Sequence, residues 1–407
     1  MIAILFHKVR GGGVQRSLLH LANEFHRRGC RVELIACRDE GPPFHPVPPG
    51  ITVTHLQKSG HICGRVSTLR ADSKGWRELS LPVLFPVKTS WHIQYLPALS
   101  DYLRERQPEV IFSAGPYMNL IALWARRMSG ASTKVVGSER VSFSHFLDAH
   151  HRYKWRWRYL APLLARNYPR ADGIVAVSEG VADELAQYTG LERERISVIY
   201  NPVVTPAVYE RAREPVTHPW FVERDRPVIL GVGRLADMKD FTTLLRAFAR
   251  LRAERAARLV ILGEGKHRRT LEALVTELGV AEDVDLPGWA DNPYPFMANA
   301  DLFALSSRGE GLPNALLEAM AVGCPVVSTD CPSGPREILD GGRYGPLVAV
   351  GDDAGLARAM AETLDAPPAR NVLMERAAMF SQERSADAHL ALFRRILESD
   401  GKRLAAE

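Results

Sequence analysis

The sequence predicts an α/β protein made of two doubly wound domains. Short apolar runs alternate with amphipathic helical segments through most of the 407 residues. This alternation occurs as two series, separated by a proline-rich passage, and it favours two parallel sheets flanked by helices. A hydrophobic content of 46% is enough to bury a large core in each domain. We expect the domains to face each other across a cleft at the carboxyl ends of their strands.

The first series begins at the amino terminus. "IAILFH" (2–7) predicts a buried strand, "VQRSLLHLANEFHRRG" (14–29) a helix ending at Gly29, and "RVELIAC" (31–37) the next strand. Further strands are predicted at "EVIFSAG" (109–115), "TKVVGSE" (133–139) and "GIVAVSE" (173–179).

The second series follows the passage "VTPAVYERAREPVTHPWFVERDRP" (204–227), which lacks periodicity and which we interpret as the connection between domains. Strands are predicted at "PVILGVG" (227–233), "RLVILGEG" (258–265), "DLFALSS" (301–307) and, as the last strand, "CPVVSTD" (324–330), with helices near 241–254 and 267–279. The predicted domains are therefore 1–203 and 204–381. A helix near 382–400 is expected to pack on the first domain.

Cysteine usage and hydropathy indicate the compartment. The five cysteines form no C-x-x-C pair, so a disulfide framework or zinc site is not expected, and all five are interpreted as structural. The apolar run in "MIAILFHKVRGGG" is too short for a signal peptide, and no window approaches 18 uninterrupted apolar residues. These features favour a cytoplasmic protein.

Charge is divided unevenly along the chain. Residues 1–200 carry 27 Lys and Arg against 17 Asp and Glu, whereas residues 201–407 carry 25 against 30. The basic excess of the first half suggests that it faces an anionic partner.

Two glycine-containing loops could bind phosphate. In "HKVRGGGVQRS", Gly11, Gly12 and Gly13 lie between a strand and a helix, where free N–H groups can meet an anion; the alternative is a tight turn without a ligand.

In "GVGRLADMKDFTTLL" (231–245), Gly231–Ala236 matches the dinucleotide pattern G-x-G-x-x-A. The helical pattern begins only near Phe241, too late for a pyrophosphate to sit on that helix. Arg234 and Lys239 are instead suited to clamp a diphosphate, the alternative being a solvated loop.

Two glutamates stand eight residues apart in "RGEGLPNALLEAM" (308–320). Pro313 suits the first position of a helix that Gly323 ends, which places Glu310 in the preceding loop and Glu318 on the second turn. Carboxylates accept hydrogen bonds from paired sugar hydroxyls, and the N–H groups from Gly311 onward could meet an anion. The alternative is a pair of exposed acids at a helix end.

This segment resembles the E-x7-E signature of retaining glycosyltransferases of family 4, which have the two-domain GT-B fold. The resemblance extends to "GRLADMKD", "VIYNPV" (198–203), "LGEGKHRRTLEALVTELGVAEDVDLPGW" (262–289) and "CPVVSTDCPSGPREIL" (324–339). It implies these donor-binding residues: Gly12, Gly13, Arg234, Lys239, Gly288, Trp289, Glu310, Gly311, Leu312 and Glu318.

The resemblance also implies their roles. Arg234 and Lys239 would neutralise the leaving diphosphate, and with Glu310, which contacts the transferred sugar near its reacting carbon, they form the expected catalytic set. Glu318 would bind the ribose. The backbone around Gly288 and Trp289 would hold the base, and Gly12 and Gly13 would lie near the donor phosphates.

One position departs from the family. Many relatives have a histidine after the strand corresponding to "VVGSE", whereas this chain has Arg140 in "GSERVSF". We assign Glu139 and Arg140 to the acceptor side, with a structural ion pair as the alternative.

The resemblance implies transfer of a hexosyl unit with retention from a nucleotide-diphosphate sugar, a UDP-sugar being favoured and GDP-mannose second. The acceptor would be a glycan or lipid-linked molecule in cell-surface polysaccharide or lipopolysaccharide assembly. No cofactor or metal is expected, because the basic clamp can replace a cation. Two alternatives are a nucleotide-sugar epimerase and an NAD-dependent oxidoreductase that would use Gly231–Ala236 with Glu264 as ribose partner.

The segment "HHRYKWRWRYLAPLLARNYPR" (150–170) interleaves cations with aromatic residues. Its cations are Arg152, Lys154, Arg156, Arg158, Arg166 and Arg170, and its aromatic residues are Tyr153, Trp155, Trp157, Tyr159 and Tyr168. This composition predicts peripheral attachment to an anionic membrane on its cytoplasmic face. Nucleic acid is not expected, because no nucleic-acid motif accompanies the segment. A core helix with solvated arginines is the alternative.

Overall fold

The computed structural model describes residues 1–8, 12–38, 47, 49–85, 90–142, 160–399 and 401. The chain divides into two compact units. The first comprises Met1–Pro202 together with Gln382–Glu407, and the second comprises Val203–Ser381.

The first unit contains a parallel sheet of seven strands in the order β3-β2-β1-β4-β5-β6-β7. Its strands are β1 (Ile2–Lys8), β2 (Val32–Arg38), β3 (Thr52–His55), β4 (Val110–Ala114), β5 (Lys134–Glu139), β6 (Gly173–Ala176) and β7 (Ile196–Val198). Its described helices are α1 (Gly13–Arg27), α2 (His61–Ala71), α3 (Trp76–Leu79), α4 (Leu96–Arg106), α5 (Pro116–Ser129), α6 (Leu160–Asn167), α7 (Glu179–Thr189) and, from the carboxyl end of the chain, α17 (Gln382–Glu398).

The apolar strand runs form the core of this unit because a parallel sheet is covered by helices on both faces. Ile2, Ile4 and Phe6 of β1 have at most 1% of their surface exposed. The amphipathic pattern of α17 adds Phe393, whose ring packs edge-on against Phe25 of α1 at a centroid distance of 5.9 Å. The carboxyl-terminal helix therefore belongs to the core of the first unit.

The second unit contains a parallel sheet of six strands in the order β10-β9-β8-β11-β12-β13. Its strands are β8 (Val228–Val232), β9 (Arg258–Leu262), β10 (Val284–Gly288), β11 (Leu302–Leu305), β12 (Val326–Thr329) and β13 (Leu347–Val348). Its helices are α8 (Pro206–Arg211), α9 (Pro219–Glu223), α10 (Phe241–Glu254), α11 (Arg268–Glu277), α12 (Tyr294–Asn299), α13 (Asn314–Ala321), α14 (Pro335–Ile338), α15 (Asp353–Asp365) and α16 (Arg370–Ala378).

Two expectations about this unit are wrong. β12 is not the last strand, because β13 pairs with it through two residues only, too few to produce a sequence pattern. The passage 204–227 is not a plain connection. It forms α8 and α9, which bury Val208 and Phe221 in the second unit despite its proline content, because proline is tolerated in the first turn of a helix.

Each sheet has a point where the strand order reverses. In the second unit this is the boundary between β8 and β11, which pair directly through Ile229 with Leu302 and Leu230 with Phe303. Ligands of open α/β sheets bind beyond the carboxyl ends of the strands at such a point. We therefore expect a ligand to bind at the loops that follow β8 and β11.

Cysteine burial differs from the expectation at one position. Cys30, Cys37, Cys324 and Cys331 are buried, whereas Cys63 on α2 is exposed and is not a core residue. Among the described residues, no helix combines the length and apolar character that crossing a membrane requires.

Candidate active site

The first loop of the site, 233–240, follows β8. Gly233 lies against the Lys239 side chain, since a Cβ at Gly233 would come within 3.2 Å of the Lys239 Cδ. Gly263, at the end of β9, approaches still closer: its φ is +147°, and a Cβ there would be 1.9 Å from the Gly233 carbonyl oxygen. These glycines allow the loop to fold down on the sheet and direct Lys239 toward β11.

Arg234 is exposed in the same loop. It makes no hydrogen bond or ion pair with any residue that the structure describes. Its guanidinium therefore keeps all its donors for a ligand.

The second loop follows β11 and carries Glu310. Its backbone is fixed by hydrogen bonds from the Glu310 N–H to the Pro332 carbonyl, at 2.7 Å, and from the Ser333 N–H to the Glu310 carbonyl, at 2.9 Å. Gly334 packs so tightly on this loop that a Cβ would be 2.7 Å from Pro313 Cδ. The segment after β12 thus holds the glutamate in place.

Lys239 and Glu310 meet directly. The Lys239 Nζ lies 2.6 Å from the Glu310 Oε1, which also accepts a hydrogen bond from the Ser307 Oγ at 2.6 Å. The side chains are 22% and 13% exposed, so solvent can reach both. The Glu310 Oε2 has no partner among the described residues, which leaves it free to accept a hydrogen bond from a hydroxyl group.

Other contacts between the two loops were not predicted from the sequence. The Ser306 Oγ donates to the Lys239 carbonyl at 2.9 Å, and the Arg308 N–H donates to the Met238 carbonyl at 2.8 Å. The Arg308 Nε binds the buried Asp240 carboxylate at 2.9 Å. A serine pair and an arginine are too common in loops to signal such a role.

Glu318 lies on the second turn of α13 and is only 4% exposed. The Tyr294 hydroxyl donates to its Oε1 at 3.5 Å. α13 begins at Asn314, with Pro313 at the preceding cap position rather than the first helical position, and Gly323 follows the helix with φ +77°. The alternative of two exposed acids is wrong, because both glutamate side chains are largely buried.

Of the residues expected to hold a base, Gly288 is the last residue of β10 and Trp289 follows it. Gly288 has φ +100°, and its carbonyl accepts the Gly263 N–H at 2.7 Å, which ties it to the end of β9. Trp289 is 66% exposed, with its indole N–H bonded to the Asp291 carboxylate at 2.8 Å. An exposed tryptophan next to a left-handed glycine offers both a ring face and open backbone.

The geometry disfavours a dinucleotide site. α10 begins at Phe241, eight residues beyond Gly233, so no helix start lies at the glycines. Glu264, the residue that would have to bind a ribose, is already paired with Arg268 through its Oε2 at 2.9 Å.

Gly12 and Gly13 lie in the first unit at the start of α1. Both are exposed, and a Cβ at Gly12 would meet no atom within 4 Å. Gly11 lies outside the described residues.

Glu139 and Arg140, which end β5, are 1% and 8% exposed. They do not form the ion pair considered as the alternative. Glu139 accepts hydrogen bonds from the Tyr168 hydroxyl and from the Asn119 Nδ2, the latter at 2.9 Å, while Arg140 donates to the Asn201 Oδ1 at 2.8 Å. The Glu139 Oε2 and the Arg140 Nε are buried and have no hydrogen-bond partner among the residues that the structure describes.

Burial raises the pKa of the Glu139 carboxyl from its ordinary 4.5 to about 7, although the Tyr168 and Asn119 hydrogen bonds lower it. Between pH 4.5 and about pH 7 the carboxyl is ionised in the unfolded chain but still protonated in the folded chain. The contribution of this group to the free energy of unfolding therefore falls as pH rises through this range. Glu139→Gln should therefore stabilise the protein relative to wild type at pH 8 but not at pH 4, by up to about 3 kcal/mol. Thermal unfolding at both pH values measures this.

The exposed Glu105 provides the matched control for that prediction, because Glu105→Gln removes a surface carboxylate of the same unit that is unpaired among the described residues. Relative to wild type, Glu105→Gln should leave the difference in the free energy of unfolding between pH 4 and pH 8 unchanged. Equal behaviour of the two variants would contradict the raised pKa of Glu139. Comparison of each variant with wild type also cancels the contribution of buried His389, whose pKa burial lowers to about 3.

The predicted membrane segment 150–170 is described only from residue 160 onward. In that part, Tyr168 is fully buried and does not reach a membrane. Arg166 binds the buried Asp72 carboxylate at 2.9 Å, and Arg170 lies 3.4 Å from the same carboxylate. These three residues have structural roles; the other cations and aromatic residues of the prediction lie outside the described residues.

Comparison with known proteins identifies the class. A family model described as Glycosyltransferase Family 4 matches residues 11–206, and one described as Glycosyl transferases group 1 matches residues 226–366. The lipopolysaccharide core biosynthesis glycosyltransferase LpsE of Rhizobium meliloti is 30% identical over 393 residues, which are 95% of this chain and 97% of the relative. The chain belongs to the family 4 glycosyltransferases.

A second relative agrees with this assignment, and a solved structure agrees with the fold. The N-acetylgalactosamine-N,N'-diacetylbacillosaminyl-diphospho-undecaprenol 4-alpha-N-acetylgalactosaminyltransferase of Campylobacter jejuni is 35% identical over 63% of this chain and 67% of its own length. The crystal structure of HepE from Anabaena in complex with UDP matches with a TM-score of 0.68 and 19% identity, over 98% of this chain and 99% of HepE. The predicted fold class, GT-B, is confirmed.

Proposed function

We propose that this glycosyltransferase moves a hexosyl unit from a nucleotide-diphosphate sugar to an acceptor hydroxyl with retention of configuration. The contact that supports this most strongly is the one between Lys239 and Glu310 at the point where the strand order of the second sheet reverses. It sets a cation suited to a leaving diphosphate beside a carboxylate suited to the sugar. A UDP-sugar is the first candidate donor and GDP-mannose the second.

Each residue of the proposed donor site has a separate task. Arg234, which is exposed and unpaired among the described residues, and Lys239 neutralise the departing diphosphate. Glu310 binds the sugar near its reacting carbon through its open Oε2, with the neighbouring Gly311 and Leu312 backbone alongside. The fixed positive charges take the place of a metal ion in this proposal.

The nucleoside would be held by the other residues of the site. Glu318 binds the ribose hydroxyls, and its burial strengthens such hydrogen bonds. The backbone at Gly288 and Trp289 holds the base, and Gly12 and Gly13 are proposed as phosphate-side residues of the first unit.

The proposed acceptor is a glycan or lipid-linked molecule of cell-surface polysaccharide or lipopolysaccharide assembly, used on the cytoplasmic face of the membrane. The name of the Rhizobium meliloti relative includes lipopolysaccharide core biosynthesis, and the name of the Campylobacter jejuni relative includes a diphospho-undecaprenol carrier. Glu139 and Arg140 are proposed for the acceptor side, since each keeps one buried polar atom that has no partner in the described part of the chain.

Product stereochemistry tests the retaining assignment. An α-linked nucleotide sugar should give an α-linked product, which the coupling of the anomeric proton reports directly. A β-linked product from the same donor would remove the protein from the retaining group. Conversion of the donor to another nucleotide sugar without acceptor would instead indicate an epimerase.

A further inference from the structure

Helix α2 of the first unit presents its large apolar side chains to solvent. Ile62 is 77% exposed, Val66 44% and Leu69 38%. Because these residues are spaced i, i+4 and i+7, they lie on one face of the helix and form a continuous apolar stripe.

The opposite face of α2 is built from small residues and is buried. It comprises Gly64, Ser67, Thr68 and Ala71. A Cβ at Gly64 would be 2.7 Å from the Ile93 carbonyl oxygen, so the helix backbone rests almost directly on the neighbouring segment. This contact has no room for a larger side chain. Turning the stripe inward would place Ile62, Val66 and Leu69 at this contact and separate the helix from the segment that it packs on. The orientation with apolar residues outward is therefore enforced by packing.

Exposed cations and an exposed aromatic ring flank the stripe along the chain. Trp76, the first residue of α3, is 55% exposed, and the Arg77 guanidinium lies 5.6 Å from the centre of its ring. The exposed cations of this stretch are Lys58, Arg70, Lys74 and Arg77. The two acids of residues 57–78 are Asp72, which is fully buried and bound by Arg166, and Glu78, which is 35% exposed and lies 4.0 Å from Arg166. We name the stripe, Trp76 and these four cations the α2 surface.

We propose that the α2 surface docks onto an anionic lipid bilayer. Apolar side chains on one helix face, a tryptophan in the following helix, and four exposed cations against one partly exposed acid together match the boundary between anionic headgroups and acyl chains. The inference deepens the proposed function and rests on it in one respect, because a lipid-linked acceptor requires the enzyme to reach a membrane.

A second copy of the chain fits this surface less well. A symmetric dimer through α2 would bring the four cations of each copy toward those of the other, and like charges at an interface are unfavourable. Nucleic acid is also disfavoured, since the stripe offers apolar side chains where phosphate contacts would be needed.

Flotation with vesicles tests the proposal on the full-length protein without donor or acceptor. Wild type should float with vesicles that contain phosphatidylglycerol, less with phosphatidylcholine alone, and less again as salt is added. Combined replacement of Ile62, Val66 and Leu69 by Gln, a good helix former, should weaken binding by roughly tenfold or more. Arg70→Gln, Lys74→Gln and Arg77→Gln together should weaken it on the order of 10²-fold and remove most of the salt dependence.

A matched control uses three exposed valines of the second unit. Val222, Val350 and Val372 are 65%, 41% and 40% exposed, so their combined change to Gln removes a similar amount of exposed apolar surface elsewhere. This variant should float like wild type, and thermal unfolding should show all three triple-Gln variants folded.

Cys63 supplies an independent readout because it lies on α2 and the other four cysteines are buried. A thiol-reactive, polarity-sensitive dye attached there should shift its emission to the blue with phosphatidylglycerol vesicles. Cys63→Ser should abolish labelling of the folded protein.

Three results would overturn the proposal. The first is flotation of the stripe variant equal to that of wild type, and the second is failure of wild type to float at low salt with anionic vesicles. The third is a dimer of wild type in solution that the stripe variant does not form. None of these results depends on sugar transfer. A protein that floats but transfers no sugar would contradict the proposed function while leaving the membrane surface supported.

Discussion

Replacing Lys239 or Arg234 with alanine is expected to reduce sugar transfer on the order of 10²-fold each, while the protein remains folded. Both cations are proposed to stabilise charge that develops on the diphosphate as the bond to the sugar breaks. The Lys239 change also leaves the Glu310 carboxylate without its ion pair, so its effect should be the larger. Turnover with saturating donor, compared with wild type, measures the loss.

Arg246→Ala is the matched control for Arg234→Ala. Arg246 is exposed on α10 of the same unit and has no ion pair among the described residues, so its loss removes the same charge away from the site. It should leave turnover near that of wild type. Near-normal turnover in the double variant of Arg234 and Lys239 would reject the clamp.

The two glutamates should separate binding from chemistry. Glu310→Gln is expected to lower turnover on the order of 10²-fold or more, because its proposed target is the sugar, while affinity for the free nucleoside diphosphate stays the same or rises. It rises if Lys239, released from the carboxylate, binds the diphosphate more strongly. Glu318→Gln should weaken binding of the free nucleotide, since its proposed target is the ribose.

Titration calorimetry with the nucleoside diphosphate and turnover with the complete donor provide the two readouts. Glu277 is exposed in the same unit and has no ion pair with any described residue, so Glu277→Gln should change neither readout. Equal losses of nucleotide affinity in the Glu310 and Glu318 variants would show that the two roles are wrongly assigned.

Strong local patterns made much of the fold predictable from the sequence. The apolar runs of β1, β8 and β11 are buried on both faces of their sheets, and such runs are hard to mistake for loops. The same patterns place the 233–240 and 306–313 loops after strands, so their location at the sheet edge follows once the strands are known.

Other features depend on contacts between distant residues and could not be predicted. The ion pair between Lys239 and Glu310 joins positions 71 residues apart, and nothing in either local pattern signals it. β13 has two residues, too few for periodicity. The outward stripe of α2 contradicts the usual rule that apolar residues face inward, because Gly64 needs the inner position for close packing.

The burial of Tyr168, a residue of the segment 150–170, could not be predicted either, because it depends on tertiary contacts. Aromatic residues among arginines are compatible with either a membrane interface or a core, and composition does not distinguish them. Contacts with Asp72 assign Arg166 and Arg170 to the fold, whereas the cations around α2 remain exposed.

Stabilisation by nucleotides tests the central claim, that the second unit binds a nucleotide-diphosphate sugar. We propose thermal unfolding of wild type and Glu318→Gln with UDP-hexoses, GDP-mannose and NAD. A ligand at 100 times its Kd stabilises a folded protein by roughly 2.7 kcal/mol, a readily measured shift. We expect that at least one nucleotide-diphosphate sugar stabilises wild type, that Glu318→Gln loses most of this shift, and that NAD gives none. Stabilisation by NAD alone, or an equal shift of both proteins by the same sugar nucleotide, would contradict this claim.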